Sequence, residues 1–473
     1  MKKLLTMLGI LTVVFMVCLS DKVYADEATT VGGNIELSSG EDVSLITDNS
    51  YYTSIEMGGG TTITVTANSP IKGAYIVWGS PVNEWTLGLG EGGIKCGTNG
   101  FLHEYISFQD ATKSFTMTMD SGNTITDITL YTDGELPSNV QVWKPECDKA
   151  DIMLLSSHAD DEILFFGGIL PYYAGELDLE VQVVYFSQYW TGETIREHEK
   201  LDGLWHSGVK NYPYTADFDD IYADNLEEAK QIFGYEKTLD FVVEMIRKFK
   251  PQVAVAQDEN GEYGHGTHML TAAAMKEAVQ ISMDSSKYPN SADKYGVWDV
   301  PKTYLHLYGE NQVILDCRTP LDSFGGKTTL EVAQESYKLH VSQQWCWYYV
   351  DDEYEYSCAK FGLYRSAVGV DTGNDLMKNL IDYKTQFKDE QERLERESIA
   401  AHEAELESES IAIAESIAVA EDIIETQKNN DRKQTVVFVI VIIVVIVVSL
   451  AGIYLIMLNR AANNRKKKRR NKK

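Results

Sequence analysis

Two short stretches concentrate the side chains that hydrolytic chemistry needs. The first is His158-Ala159-Asp160-Asp161-Glu162. The second runs Asp258-Glu259-Asn260-Gly261-Glu262-Tyr263-Gly264-His265-Gly266-Thr267-His268. Two neutral imidazoles and one carboxylate suit zinc, and three protein ligands leave a fourth position for water. His158, Asp161 and His268 can form such a set. A cation held there lowers the pKa of bound water towards ~7 and polarises a carbonyl. Asp160, beside Asp161, can take that water's proton as general base. His265 stands three residues before His268 and can face the same pocket from a loop. There it can stabilise an oxyanion or protonate a leaving amine. Taken singly, each piece has a plainer reading: adjacent acids form solvated turns, an isolated HxxH is a weak metal signal, and His158 can cap a helix. What favours a site is that both motifs directly follow short apolar runs.

Those runs are Asp151 to Ser156 and Pro251 to Ala256, and Glu180 to Phe186 repeats the pattern. Such continuous apolar runs read as buried parallel strands. Between and after them lie helix-like stretches at Thr194 to Gly208, Leu226 to Phe233, Glu236 to Lys250 and Met269 to Ser282. Strand–helix alternation predicts a three-layer α/β domain. Ligands in such sheets bind at the carboxyl ends of the strands, where both motifs fall.

At this point the residues resemble a family. His158-Ala159-Asp160-Asp161-Glu162, then Gly167-Gly168, then His265-Gly266-Thr267-His268, are similar to the PIG-L/LmbE-like zinc deacetylases, which act on N-acetylglucosaminyl compounds. The resemblance covers roughly Lys149 to Leu380. It implies a Rossmann-like fold and a metal held by His158, Asp161 and His268, with Zn2+ expected and Fe2+ an alternative. It also implies Asp160 as base and His265 as the electrophilic or acid group. The family most often has Pro where this chain has Ala159; Ala leaves the turn freer without adding competing chemistry. Arg196 and Glu199 match an Arg with a nearby Glu in the family, with Arg196 contacting substrate hydroxyls or the two forming a helix-surface ion pair. His340 falls in a later family-like segment and is expected behind the site at most.

The 473 residues exceed one typical domain. With 44% hydrophobic and 24% charged residues, the chain is not wholly disordered. Its formal net charge is -29. The cations cluster at the ends, leaving residues 26–431 with 28 basic against 70 acidic side chains. A body so acidic repels phosphate backbones, so no nucleic-acid partner is expected. Lys2 and Lys3, the apolar run Leu4 to Leu19, and Val23-Tyr24-Ala25 read as a signal peptide over residues 1–25. Thr435 to Leu458 carries no charge. At ~1.5 Å per residue it is long enough to cross a ~30 Å hydrocarbon core. Nine Lys and Arg follow in residues 460–473, a basic tail expected in the cytoplasm.

Residues 26–147 alternate apolar and polar positions between Gly-rich turns and are expected to form an all-β sandwich. Its aromatics Trp78, Trp85 and Tyr105 either pack in its core or, exposed, stack on sugar rings. Residues 148–380 are expected to be the α/β catalytic domain. Residues 385–430 are rich in Glu, Ala and Ile, without Gly or Pro, and favour a helical stalk. Cys96, Cys147, Cys317, Cys346 and Cys358 lack CxxC spacing, which disfavours a thiolate zinc site. Outside the cell some can form disulfides. The expectation is therefore a cell-membrane-anchored, extracellular zinc deacetylase of an amino sugar or glycan. The rivals are a glycan-binding surface protein with an inert deacetylase-like domain, and a zinc amidase acting on another amide.

Overall fold

The computed structural model describes residues 26–90, 92–369, 373–428 and 435–470. The expected signal peptide, residues 1–25, lies outside them. The described residues up to Thr385 form one compact unit, and those from Gln386 onward form a second.

The first part of the larger unit is all β. It contains β1 (Gly33–Leu37), β2 (Ile55–Met57), β3 (Thr62–Trp78), β4 (Trp85–Gly88), β5 (Gly93–Cys96), β6 (His103–Met119) and β7 (Asn123–Tyr131). Hydrogen bonding joins them into one antiparallel sheet of order β2-β7-β3-β6-β4-β5, with β1 added on β3. The alternating runs Thr62–Thr66 and Gly73–Trp78, which read in sequence as two short strands, are halves of the single 17-residue β3. Pro70 falls where the β3–β6 register shifts, between Thr66 and Ile71. Proline has no N–H to donate to a ladder, so the break sits where no bond is lost. The half of β3 before the break pairs with β1 and the half after it with β7.

Trp78 and Trp85 are not exposed. Both are fully buried, with ring centroids 5.9 Å apart. Their indole N–H groups donate to the buried Glu104 Oε2 at 3.2 and 3.1 Å. Strand alternation turns them inward, so these two are core residues; Tyr105 stays half-buried.

The second part holds β8 (Ile152–Ser156), β9 (Val181–Gln188), β10 (Tyr214–Asp219), β11 (Val253–Ala256), β12 (Lys302–His306), β13 (Gln312–Ile314) and β14 (Lys360–Ser366). Its helices are α1 (Asp161–Leu164), α2 (Ile195–His206), α3 (Leu226–Ala229), α4 (Tyr235–Phe249), α5 (Gly266–Ile281), α6 (Pro289–Tyr295) and α7 (Thr329–Tyr337). The sheet order is β10-β9-β8-β11-β12-β14-β13. The first five strands are parallel; at the edge β14 pairs antiparallel with β12, and β13 antiparallel with β14. Every residue of β8 is buried because both faces are covered. Ile152 and Leu154 join the core with Val183, Leu201 and Leu204, whereas Met153 and Leu155 join that of Leu239, Val242 and Met275. Strand order reverses at β8, since the chain steps outward through β9 and β10 and returns to the other side at β11. The crevice between β8 and β11 is thus the sheet's switch point, where open α/β sheets bind ligands.

The two parts share a continuous core. His103 Nε2 of β6 lies 2.9 Å from His198 Nδ1 of α2, both buried. Tyr51 stacks on His198 and donates to Asp202 Oδ1 at 3.2 Å, and Gln141 Nε2 donates to the same oxygen at 2.6 Å. Trp143 packs edge-on against Trp205 and Tyr212. Removing one partner of a buried polar pair costs ~1–3 kcal/mol, and several would be lost together here. Deleting residues 26–147 is therefore expected to give aggregated, inactive protein. Size-exclusion chromatography checks this: a monodisperse, active fragment beginning at residue 148 would contradict it.

In the second unit, the expected stalk is helical as far as it is described, within α8 (Tyr383–Lys428), and residues 429–430 lie outside the described residues. Ion pairs such as Arg393 with Glu390 and Glu397 lie along its surface. α9 (Thr435–Arg470) contains Phe438–Met457, 20 residues long and apolar enough to cross a membrane.

Candidate metal and catalytic site

The turn after β8 brings His158, Asp160 and Asp161 to the switch point, and α5 with its leading loop brings His265 and His268. His158 Nδ1 lies 3.0 Å from Asp161 Oδ2 and 3.0 Å from His268 Nε2. His268 Nε2 lies 3.1 Å from the same Asp161 oxygen. All three side chains are buried. Three such atoms are close enough together to share one ion at the ~2.0–2.2 Å typical of nitrogen and oxygen ligands. Protons satisfy them poorly, because both imidazole nitrogens face each other as well as one carboxylate oxygen. The donor set therefore fits a divalent cation.

Outer partners orient the set. His268 Nδ1 is 2.7 Å from Glu262 Oε2, and Glu262 Oε1 is 2.6 Å from His306 Nδ1. His306 Nε2–H donates to the Ser357 carbonyl at 2.9 Å. Burial works to raise the Glu262 carboxyl, but the hydrogen bonds from His268 and His306 outweigh it and bring it down to about 2. Asp161 Oδ2 also accepts from Gln257 Nε2 and from the His158 backbone N–H, both at 2.9 Å. Burial opposes ionisation of Asp161 too, yet His268 and His158 hold it well below the usual carboxylate range. Carboxylates behind a ligating histidine fix its tautomer and raise its basicity. Glu262→Gln is expected to weaken zinc binding about 10- to 100-fold, read by chelator competition. Unchanged affinity would refute the link.

Asp160 caps α1 with φ 124° and ψ −32°, a backbone conformation that side chains rarely adopt. Such strain costs ~1–3 kcal/mol and persists where the surroundings over-determine it. Here the Asp160 N–H donates to Glu162 Oε2 at 2.7 Å, and Arg196 Nη2 approaches Asp160 Oδ1 at 3.4 Å. Burial pushes the Asp160 carboxyl up to about 7 even though Arg196 pulls it down. His265 Nδ1 accepts the Thr267 N–H at 3.2 Å, so the proton of the neutral ring sits on Nε2. Burial, reinforced by His158 and His268, drives its pKa down to about 2, keeping it neutral. Its ring stacks on His268 at 4.6 Å. One donor atom each from His158, His265 and His268 also lie within 4.8 Å of one another, so His265 borders the cation position.

Arg196 does not pair with Glu199. It donates to the Ala159 carbonyl at 2.6 Å, lies 3.4 Å from Asp220 Oδ2 and covers the Tyr189 ring. Glu199 instead accepts from the Ser342 N–H at 2.7 Å and its hydroxyl at 2.5 Å. The guanidinium is buried among protein partners, a position from which it holds Asp160. His340 is buried 2.8 Å from Glu162 Oε1, behind the turn. A Cβ on Gly168 would sit 2.4 Å from the Cys358 carbonyl oxygen, which explains the small residue there.

Sequence reasoning missed three residues that shape the site. Glu262 stood in the second motif without a role. His306 is a lone histidine at the end of β12, with no motif around it. Asp220, which follows β10, lies 3.6 Å from His158 Nε2. Reading β10 as a parallel strand would have found it by the strand-end rule.

Residues 153–279 match the family model described as PIG-L, GlcNAc-PI de-N-acetylase. Over 188 residues the chain is 26% identical to a 1D-myo-inositol 2-acetamido-2-deoxy-alpha-D-glucopyranoside deacetylase 1 of Catenulispora acidiphila, covering 32% of this chain and 54% of the relative. It is 35% identical over 77 residues to a mycothiol S-conjugate amidase of Streptomyces coelicolor, covering 16% and 26%. The chain thus spans about half the length, or less, of these curated relatives. An N,N'-diacetylchitobiose deacetylase from Pyrococcus horikoshii is similar at 20% identity over 41% of this chain and 71% of that one, with a TM-score of 0.32. The match spans both motifs, from β8 through most of α5, and on it this chain carries a domain of the PIG-L family.

Proposed function

We propose that the protein is a metal-dependent deacetylase that hydrolyses the N-acetyl group of an amino sugar or glycan. The observation that carries this reading is the convergence of His158 Nδ1, Asp161 Oδ2 and His268 Nε2 at 3.0–3.1 Å, beside a strained, buried Asp160. Two imidazoles with a carboxylate favour zinc, with Fe2+ the alternative. When bound, the cation supplies Lewis acidity toward the acetyl carbonyl and makes water more acidic. Asp160 accepts the proton of the attacking water, held in place by Arg196. His265 offers its Nε2–H to the oxygen that gains negative charge. Collapse breaks the C–N bond, the proton taken up by Asp160 passes to the departing nitrogen, and acetate and the free amine leave. The family match and the deacetylase relatives support the same reaction.

The reading extends to the whole chain. The β-region folds as a sandwich about β3 and β6 and accompanies the catalytic domain in contacting glycan. α9 tethers the protein to the cell membrane through one span, with α8 as the stalk, the body outside and the basic tail in the cytoplasm. Acetate release by the zinc-loaded full chain, over amino-sugar monomers, chitooligomers and cell-wall fragments, tests the proposal. Stoichiometric zinc without acetate from any of them would favour an inert glycan-binding protein. The similarity to a mycothiol S-conjugate amidase favours, as a second reading, hydrolysis of a different amide. Product analysis separates the two, because only deacetylation frees acetate.

A further inference from the structure

Large aromatic side chains stand in solvent beside the site. Trp345 is 82% exposed and Trp347 66%. They belong to the segment Gln344-Trp345-Cys346-Trp347-Tyr348-Tyr349, which follows α7. The segment connects to the site through rings in contact. Tyr263 lies edge-on to His268 at 5.4 Å, Tyr348 stacks on Tyr263 at 4.4 Å, and Trp347 lies 4.0 Å from Tyr348. On another side of His265, Tyr222 sits edge-on at 4.6 Å and is 61% exposed.

The segment is pinned from below. Tyr337 Oη lies 3.1 Å from Cys346 Sγ, Gln344 Nε2 donates to the Tyr337 carbonyl at 2.8 Å, and Gln334 Nε2 donates to the Val350 carbonyl at 3.1 Å. A held backbone presenting bare indoles is already arranged for binding, and clustered exposed apolar surface marks interaction sites. The carboxylates Asp351, Asp352, Glu353 and Glu355 follow the rings, with Arg318 paired to two of them. Their charge disfavours an anionic polymer or an anionic lipid surface. A pyranose ring offers the matching chemistry: a C–H face that packs on an indole and hydroxyls that stay in water.

Resting on the deacetylase reading, we propose that Trp345 and Trp347, continued inward by Tyr348, form an extended subsite for the sugars that neighbour the reacting residue. The substrate class is then an uncharged or cationic oligo- or polysaccharide rather than a single amino sugar.

The test uses the zinc-loaded full chain in detergent micelles, with N-acetylglucosamine and N-acetylchitohexaose as probes. In Trp345→Ala/Trp347→Ala, the preference for hexamer over monomer, as a ratio of kcat/KM, is expected to fall about tenfold, mainly through the hexamer KM. Trp345→Phe/Trp347→Phe is expected to restore most of it, which separates stacking from general damage. Hexamer binding, read by isothermal titration calorimetry on wild type and variants alike, needs no turnover. If no acetate is released yet the hexamer binds and the Ala pair abolishes binding, the subsite stands and the deacetylase reading fails. If acetate is released and the Ala pair keeps the wild-type preference, the subsite is refuted while the reaction stands. No hexamer binding by the wild type also refutes it. The membrane alternative has its own signature in nanodiscs, because α9 contains no tryptophan. Quenching by brominated phosphatidylcholine that the Ala pair removes, with the hexamer preference intact, would assign the rings to the bilayer and overturn the proposal.

Discussion

Replacing Asp160 by Asn is expected to cut kcat by about 10²- to 10⁴-fold while the chain stays folded and metal-loaded. Asn keeps the shape and still offers an oxygen to Arg196, which approaches Asp160 Oδ1 at 3.4 Å in the wild type. It cannot accept a proton from water. Acetate release and metal content, measured on one preparation, check both halves. Wild-type turnover in the variant would show that another group is the base. Burial is also what raises the Asp160 carboxyl. A base must be ionised to work, so wild-type kcat should fall on the acid side as Asp160 takes up a proton. That limb should vanish from the residual activity of the Asn variant.

Replacing His268 by Ala is expected to lower zinc affinity by more than about 100-fold, so that the purified chain carries little metal. The ring supplies one of three donors and is the one anchored by Glu262 at 2.7 Å. Its loss leaves Glu262, fully buried, with His306 as its remaining imidazole partner. An unsatisfied buried group costs ~1–3 kcal/mol, so the metal-free variant should also melt earlier than metal-free wild type. Full metal content in the variant would overturn the ligand assignment, whatever the melting temperature. Comparison with Glu262→Gln divides the effect. That variant should retain metal at high zinc concentration, because its donor set is intact and only its orientation is weakened.

The α/β part was legible because of how it is buried. β8 and β11 have helices on both faces, so every position is buried, all but Ser156 are apolar, and each run stands out between polar loops. The reactive residues follow those runs directly, and strand ends in parallel sheets are where chemistry collects. The β-region was less legible. Alternation identified its strands, but Trp78 and Trp85 pack inward against Glu104, and a single sequence does not say which face of a strand meets the core. Nor did it say that two apparent strands are halves of β3, because that continuity depends on partners far along the chain.

By itself the sequence determined the types and the local order of the candidate groups: an imidazole and two carboxylates in one turn, and two imidazoles at the start of a helix. The tertiary structure decided which atoms meet. It turned Arg196 away from Glu199 and toward Asp160, gave Glu262 the task of holding His268, and brought in His306 from the end of β12 and Asp220 from just past β10, with no motif around either. The physical reason is that a polar side chain looks the same in sequence whether it meets substrate, metal or a neighbouring carboxylate. Its partner is chosen by sheet order and by the need to satisfy every group shut away from water.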